Sequence, residues 1–208
     1  MKNYFCFFTD GATEPTNPGP SGYAFIETKG FHDKHELNSF SKFIGNKTNN
    51  IAEICAIEAV FDFILSNPNK YLSKYDTVID IFSDSDYAIK CITVWYDKWV
   101  KTGKLSDKKN IALISHTVNK YKKVKSIVTV NIQWVKGHSG VFGYERCDEL
   151  AGLAIKNQSE IIVETEIDKN DITIDDRIDY LMNIHSNKDT YESESIRILI
   201  DYYKDSIL

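Results

Sequence analysis

YFCFFTDGATEPTNPGPSG, residues Tyr4–Gly22, is an apolar run that ends on an acid and breaks into a Gly/Pro-rich turn. Tyr4 to Phe8 lack the alternation of a half-exposed strand, so the run predicts a central strand covered on both faces. Gly11 directly after Asp10 lets the backbone turn away, leaving the Asp10 carboxylate at a strand end. Alone, this acid also fits an ordinary turn role.

Outward from this strand, Gly22–Glu27 and Phe31–Phe43 read as two antiparallel strands joined through Lys29-Gly30. Asn46–Asn50 is a polar break. Ile51, Ile54, Cys55, Ile57, Glu58 and Phe61–Leu65 show helical spacing that stops before Asn67-Pro68, with Glu53 in the first turn. Thr77–Phe82 (TVIDIF) is a short strand of branched residues, and Ser83-Asp84-Ser85-Asp86 caps a helix from about Tyr87. Asp84 repeats the logic of Asp10, an acid where a strand ends. Val94–Val100 continues as helix, Lys101–Asn110 is a basic loop and Ile111–Lys122 is helical. Ile127–Trp134 is a strand, Val135–Gly140 a Gly-rich loop, and a helix from about Glu145 to Lys156 carries Asp148. This order predicts a mixed α/β sheet whose early hairpins are antiparallel and whose later strands arrive by crossovers. Beyond Ser159, Ile161–Ile167 reads as a strand, Ile174–Ile184 as a short helix, and Glu194–Tyr203 as an amphipathic helix with Ile196, Leu199, Ile200 and Tyr203 on one face.

The 208 residues, 42% hydrophobic and 12% aromatic, suffice for one domain with an appendage. The net charge of −5 is unevenly spread. Of 25 Lys+Arg and 30 Asp+Glu, residues 156–208 hold 6 and 13, so that segment carries −7 and the rest +2. The body therefore does not repel nucleic acid. No apolar run approaches the roughly 18 residues of a membrane span, and MKNYFCFF runs into the first strand without a cleavage pattern, so a cytoplasmic protein is expected. Cys6, Cys55, Cys91 and Cys147 form no C-x-x-C pair; two disulfides are conceivable, but thiols in a reducing compartment are the favoured reading, and no zinc site is visible.

Asp10, Glu53, Asp84 and Asp148 each fall where a strand end or helix presents side chains toward one side of the sheet. Four carboxylates converging without basic partners would repel one another unless cations fill the space, and hard divalent cations take oxygen ligands. Paired ions about 4 Å apart activate a water and steady the leaving oxygen of a phosphodiester. Singly, each acid has a plainer duty: turn residue, first-turn acid, helix cap, solvated helix residue. Spacing alone does not bring them together.

TDGATEPTNPGPSGY, TNNIAEICAIEA, IFSDSDY and QWVKGHSGVFGYERCDELA together resemble the type 1 ribonuclease H family, bacterial and eukaryotic nuclear, over about residues 1–156. The resemblance implies a mixed five-stranded sheet with helices on both faces as a catalytic domain of residues 1–156. An acidic, helical extension of unassigned role, residues 157–208, would follow. It implies cleavage of the RNA strand of an RNA/DNA hybrid to 3′-hydroxyl and 5′-phosphate ends, with two Mg²⁺, or Mn²⁺, held by Asp10, Glu53, Asp84 and Asp148. His138 matches the family's loop histidine, which assists protonation or product departure. Asn17, Asn49 and Asn50 match minor-groove readers near the cut, suited to the 2′-hydroxyl that distinguishes RNA from DNA.

Trp95 and Trp99, spaced i, i+4, lead into Lys98, Lys101, Lys104, Lys108 and Lys109 and resemble the basic protrusion that lines a channel for the DNA strand; core packing and a solvated lysine face are their plainer readings. Thr48 and Asn110 match a pocket for a DNA phosphate. Two departures stand out. Asp86 occupies a place where many members carry Gln, and an acid there would disfavour a nearby phosphate; Tyr144 stands where Asn is frequent, and there altered loop packing is the expected effect. Two further readings share the acids: a nuclease or strand-transfer enzyme of the wider fold group acting on duplex DNA, and a hybrid-binding module without catalysis. The extension's apolar stripe suggests docking on the body or a protein partner; its acidity offers a less favoured alternative, a mimic of nucleic acid that damps activity.

Overall fold

The computed structural model describes residues 3–72 and 77–164. The strand expected beyond Glu164, the helices expected at 174–184 and 194–203, and the docking of the extension lie outside these residues.

One sheet organises the chain, in the order β5-β4-β1-β2-β3-β6. The strands are β1 (Asn3–Thr13), β2 (Gly19–Thr28), β3 (Glu36–Lys47), β4 (Thr77–Ser83), β5 (Thr129–Trp134) and β6 (Glu160–Glu164). β1, β2 and β3 form an antiparallel meander, whereas β4 joins β1 and β5 joins β4 in parallel. The expected mixed sheet is present with one strand more than five, because β6 pairs antiparallel with the outer edge of β3. The sheet thus continues past residue 156 through β6.

Helix α1 (Asn49–Ser66) packs on one face of the sheet and against α5 (Ile111–Lys125), while α6 (Phe142–Asn157) packs on β1, β2 and β3. Alternation along β1 explains the two layers. Phe7 enters a core with Phe25, Ile54, Ile57, Phe61 and Ile81, whereas Cys6 and Phe8 enter a second with Ile26, Phe82, Cys147 and Leu150. Burial on both faces is why the run reads as continuously apolar.

α2 (Pro68–Tyr71) follows α1 after Asn67. After β4 the chain runs through α3 (Asp86–Lys90), a π-helical turn at Cys91–Trp95 and α4 (Tyr96–Lys101), so the single helix expected here is interrupted. β3 starts later than expected because Phe31 leaves the strand to pack on Phe8 and Phe82. α6 begins at Phe142, three residues early. Cys6, Cys91 and Cys147 are buried thiols and Cys55 is half-buried. Among the described residues no helix is long and apolar enough to cross a membrane.

Candidate active site

The parallel pairing of β1 with β4 stops at one place, although β1 itself does not turn away at Gly11 as expected and runs on to Thr13 against β2. Thr9 of β1 is in register with Ser83 of β4, so the next residues, Asp10 and Asp84, emerge at the same edge of the sheet. Antiparallel neighbours would have sent them to opposite ends. Asp84 does not cap the following helix. Ser85 does, accepting a hydrogen bond from the Ala88 amide at 3.3 Å, while Ser83 Oγ accepts from the Ser85 amide at 3.1 Å. The Asp84 carboxylate is thereby left for other work.

Glu53 arrives from the other side. It lies one turn after Asn49 rather than in the first turn of α1, and Gly11 brings it close: a Cβ on Gly11 would sit 2.3 Å from the Glu53 amide nitrogen. Only a residue without a side chain lets α1 approach the strand this closely. As a result, carboxylate oxygens of Asp10, Glu53 and Asp84 lie within 4.8 Å of one another. Asp10 and Glu53 are each 4% exposed.

This proximity is electrostatically costly. Burial, then the charges of Asp84 and Asp148, push the Asp10 carboxyl up from 3.8 to about 8. Burial, then Asp10 and Asp84, hold Glu53 well above the ordinary range. Relief comes from neutral donors. Asn49 Nδ2 donates to Glu53 Oε1 at 3.3 Å, and the Asn49 amide donates to Asn17 Oδ1 at 3.2 Å. Tyr144 donates to Asp84 Oδ2 at 2.7 Å, and its hydroxyl lies 3.4 Å from Asp10 Oδ1. Glu53 Oε2 is buried without a hydrogen-bond partner among the described residues. None of the three acids forms an ion pair with a described Lys or Arg. Three clustered carboxylates, one of them bearing an unanswered oxygen, fit a hard divalent cation, so a metal is consistent with this donor set.

Asp148 stands at the rim. It is not one of the three clustered acids, its side chain is 45% exposed, and its carboxylate lies 3.9 Å from His138 Nδ1. His138 is exposed in the left-handed region at φ 51°, in the loop between β5 and α6. Trp134 fastens the start of that loop by donating to the Asp84 carbonyl at 2.9 Å.

The remaining candidates surround this centre. Asn17 and Asn49 are joined, and Asn50 is exposed one residue further along α1. Thr48 and Asn110 occupy the N-cap positions of α1 and α5, two helices in contact, and neither side chain makes a capping bond. Trp95 and Trp99 are half-buried with ring centroids 6.1 Å apart, and Lys108 Nζ lies 5.4 Å from the Trp99 ring centre. They serve the core on one side and offer ring surface on the other. Lys101, Lys104 and Lys109 are exposed, and no described acid pairs with them. Asp86 is answered by Lys90 at 2.8 Å.

Tyr144 is the residue that sequence reasoning undervalued. Instead of merely repacking a loop, its phenol is 3% exposed and bonded into the acid cluster, where burial and the charge of Asp10 push it up so that it remains a donor. The signal was available: Tyr144 and Asp148 are four apart on one helix and share a face.

Comparison with known proteins agrees with this geometry. The RNase H family profile matches residues 2–156. A ribonuclease H of Enterobacter sp. (strain 638) is 34% identical over 154 residues, spanning 72% of this chain and 88% of that protein. The crystal structure of LC9-RNase H1, a type 1 RNase H with the type 2 active-site motif, superposes with a TM-score of 0.61 at 18% identity, covering 79% of each chain. LC11-RNase H1, crystallised in complex with an RNA/DNA hybrid, gives 0.52 at 21% identity over 74% of this chain and 98% of that one. At these identities the two structures speak for the fold.

Proposed function

We propose, from the premise that this chain belongs to the ribonuclease H family, that it is an endonuclease hydrolysing the RNA strand of RNA/DNA hybrids to 3′-hydroxyl and 5′-phosphate ends. The observation that carries this reading is the gathering of carboxylate oxygens of three acids within 4.8 Å, with no ion pair to a described Lys or Arg. Asp10, Glu53 and Asp84, with Asp148 at the rim, are the residues that would hold Mg²⁺, with Mn²⁺ as a substitute. Two such cations supply Lewis-acid activation of a water and neutralise charge on the scissile phosphate.

The chain's own residues do the rest. Asp10 and Glu53 are held rigidly by the strand and helix that pack through Gly11, so the donor set is formed before substrate arrives. Asn17, Asn49 and Asn50 present amides able to pair with 2′-hydroxyls, and the bond from Asn49 to Glu53 ties that reading to a metal-holding acid. Thr48 and Asn110 take a phosphate of the DNA strand, and Trp95, Trp99, Lys101, Lys104, Lys108 and Lys109 flank its path. His138, exposed beside Asp148, delivers a proton to the departing 3′-oxygen or eases product release. The catalytic unit is residues 1–156, with β6 extending its sheet, and the acidic segment beyond is an appendage. Buried thiols at Cys91 and Cys147 suit a reducing, cytoplasmic compartment.

The test is incubation with labelled RNA/DNA hybrid, single-stranded RNA and duplex DNA, in Mg²⁺ or chelator, beside Asp10→Asn. Metal-dependent cutting of RNA in the hybrid, lost in Asp10→Asn, is expected. Cutting of duplex DNA, or tight hybrid binding without cutting, overturns it.

A further inference from the structure

We infer that Tyr144 is a positioning residue that fixes the Asp84 carboxylate for cation binding and links it to the His138 loop, an inference that rests on the hydrolase reading above. Asp84 needs such a restraint. It lies just past the end of β4, half-buried, and is not held by the capping of α3. The Tyr144 hydroxyl has a single proton to donate; the 2.7 Å contact to Asp84 Oδ2 is the true bond, and the 3.4 Å approach to Asp10 is secondary. Asp84 Oδ1 makes no hydrogen bond to a described residue, so one oxygen is tethered while the other stays available.

Gly137 closes the arrangement from the loop side. A Cβ there would lie 2.7 Å from Asp84 Oδ2 and 3.2 Å from the Tyr144 hydroxyl, so the loop backbone packs directly over this bond. The next residue, His138, sets its ring edge-on to Tyr144 with centroids 5.9 Å apart. Tyr144 therefore touches Asp84 with its hydroxyl and His138 with its ring, and belongs to the helix that carries Asp148. A side chain that orients a carboxylate ligand governs cation affinity, and loss of such outer partners typically costs about 10- to 100-fold.

Tyr144→Phe keeps the ring and removes the tether. At saturating cation its KM for hybrid stays within about twofold, but the Mg²⁺ concentration for half-maximal cutting rises about tenfold. Calorimetric titration of the substrate-free protein with Mn²⁺ weakens by the same factor. Gly137→Ala, with the phenol intact, reproduces both shifts by wedging a methyl group against Asp84 Oδ2, and it decides the matter if Tyr144→Phe does not fold. Unchanged Mn²⁺ affinity in the folded variants, or a lower kcat with unchanged cation dependence, overturns the inference. Failure of the hydrolase reading is separable: wild-type protein would cut no hybrid, yet the Mn²⁺ titrations would still rank the variants.

Discussion

Replacing Asp10 by Asn removes a carboxyl that must take up a proton on folding to sit beside two other acids, and in metal-free protein this relief is measurable as stability. The Asp10 carboxyl is pushed up to about 8, first by burial and then by Asp84 and Asp148. In the unfolded chain it titrates near 3.8. Between these values the native state holds a proton that the unfolded state has released, so stability falls as pH rises, by about 1.4 kcal/mol per pH unit from this group. The contribution is fully present below the unfolded value and exhausted once pH passes the native one. At pH 7 the wild type has forfeited about 4 kcal/mol through Asp10, with Glu53 adding in the same direction.

The amide side chain of the Asp10→Asn variant has no charge to desolvate and keeps an oxygen to accept from the Gly11 amide, although burying its NH₂ group returns about 1 kcal/mol of the gain. The chelated variant is therefore expected to exceed wild type by about 3 kcal/mol at pH 7, or about 6–12 °C in Tm, with the gap closing toward pH 4. Urea and thermal unfolding in chelator at pH 4, 5.5, 7 and 8 measure this, and millimolar Mg²⁺ should raise wild type far more than the variant. A variant no more stable than wild type at pH 7 in chelator, or a gap independent of pH, refutes the reasoning.

Gly11→Ala places a methyl group 2.3 Å from the Glu53 amide nitrogen and 2.5 Å from the Ala52 carbonyl carbon, backbone atoms that cannot step aside. It should cost about 1–3 kcal/mol in urea unfolding and abolish cutting by displacing Glu53. Changing Lys104, Lys108 and Lys109 together to Gln should weaken hybrid binding and flatten its salt dependence by about two to three units of log–log slope, read by titrating hybrid into the Asp10→Asn protein across KCl concentrations. A chain cut after Asn157 loses β6 and bares the edge of β3, so it should unfold with about 1–3 kcal/mol less stability than one cut after Glu164. Equal midpoints and slopes for the two truncations would mean that β6 contributes nothing.

Asp84 was legible in the sequence because its signal is local: an apolar run, an acid and a strand end. The same pattern pointed to Asp10, although β1 runs on through Gly11 to Thr13 instead of breaking there. Tyr144 was less legible, because its partner Asp84 lies 60 residues earlier and only the parallel pairing of β1 with β4 puts the two within reach. The string Ser83-Asp84-Ser85-Asp86 offers several capping side chains, and sequence does not say that Ser85 takes the task and releases Asp84. β6 is a five-residue edge strand, EIIVE, with Ile162 and Val163 exposed, so its apolar residues do not advertise which face is buried. Its partner Asn38–Lys42 lies some 120 residues back, beyond any periodicity. The π-turn at Cys91–Trp95 left no local mark, yet it sets the rotation between the acids' end of the helix and Trp99.

Among the described residues two other acids are buried, and the contrast identifies what the cluster is for. Asp80, fully buried on β4, accepts from Tyr4 at 3.0 Å and from Asn131 at 2.9 Å, a donor for each oxygen. Glu27, 1% exposed, is bound on Oε2 by the Lys70 ammonium at 2.9 Å, the Tyr71 hydroxyl at 2.8 Å and Asn38, while its Oε1 has no hydrogen-bond partner among the described residues. Away from the cluster, each of these buried carboxylates receives at least two side-chain donors, a lysine ammonium among them at Glu27. At Asp10, Glu53 and Asp84 the fold gathers three carboxylates and provides one phenol and one amide, although described lysines elsewhere on the surface, Lys101 and Lys104 among them, carry no described acid partner. Such a deficit costs stability that a merely structural site would have lost little by repairing, and it is offset only when cations enter. The phenol of Tyr144 is placed on the one acid of the three that the sheet and α1 leave least buried. It therefore restrains the ligand most in need of orientation while leaving the charge deficit, and hence the drive to bind cations, intact.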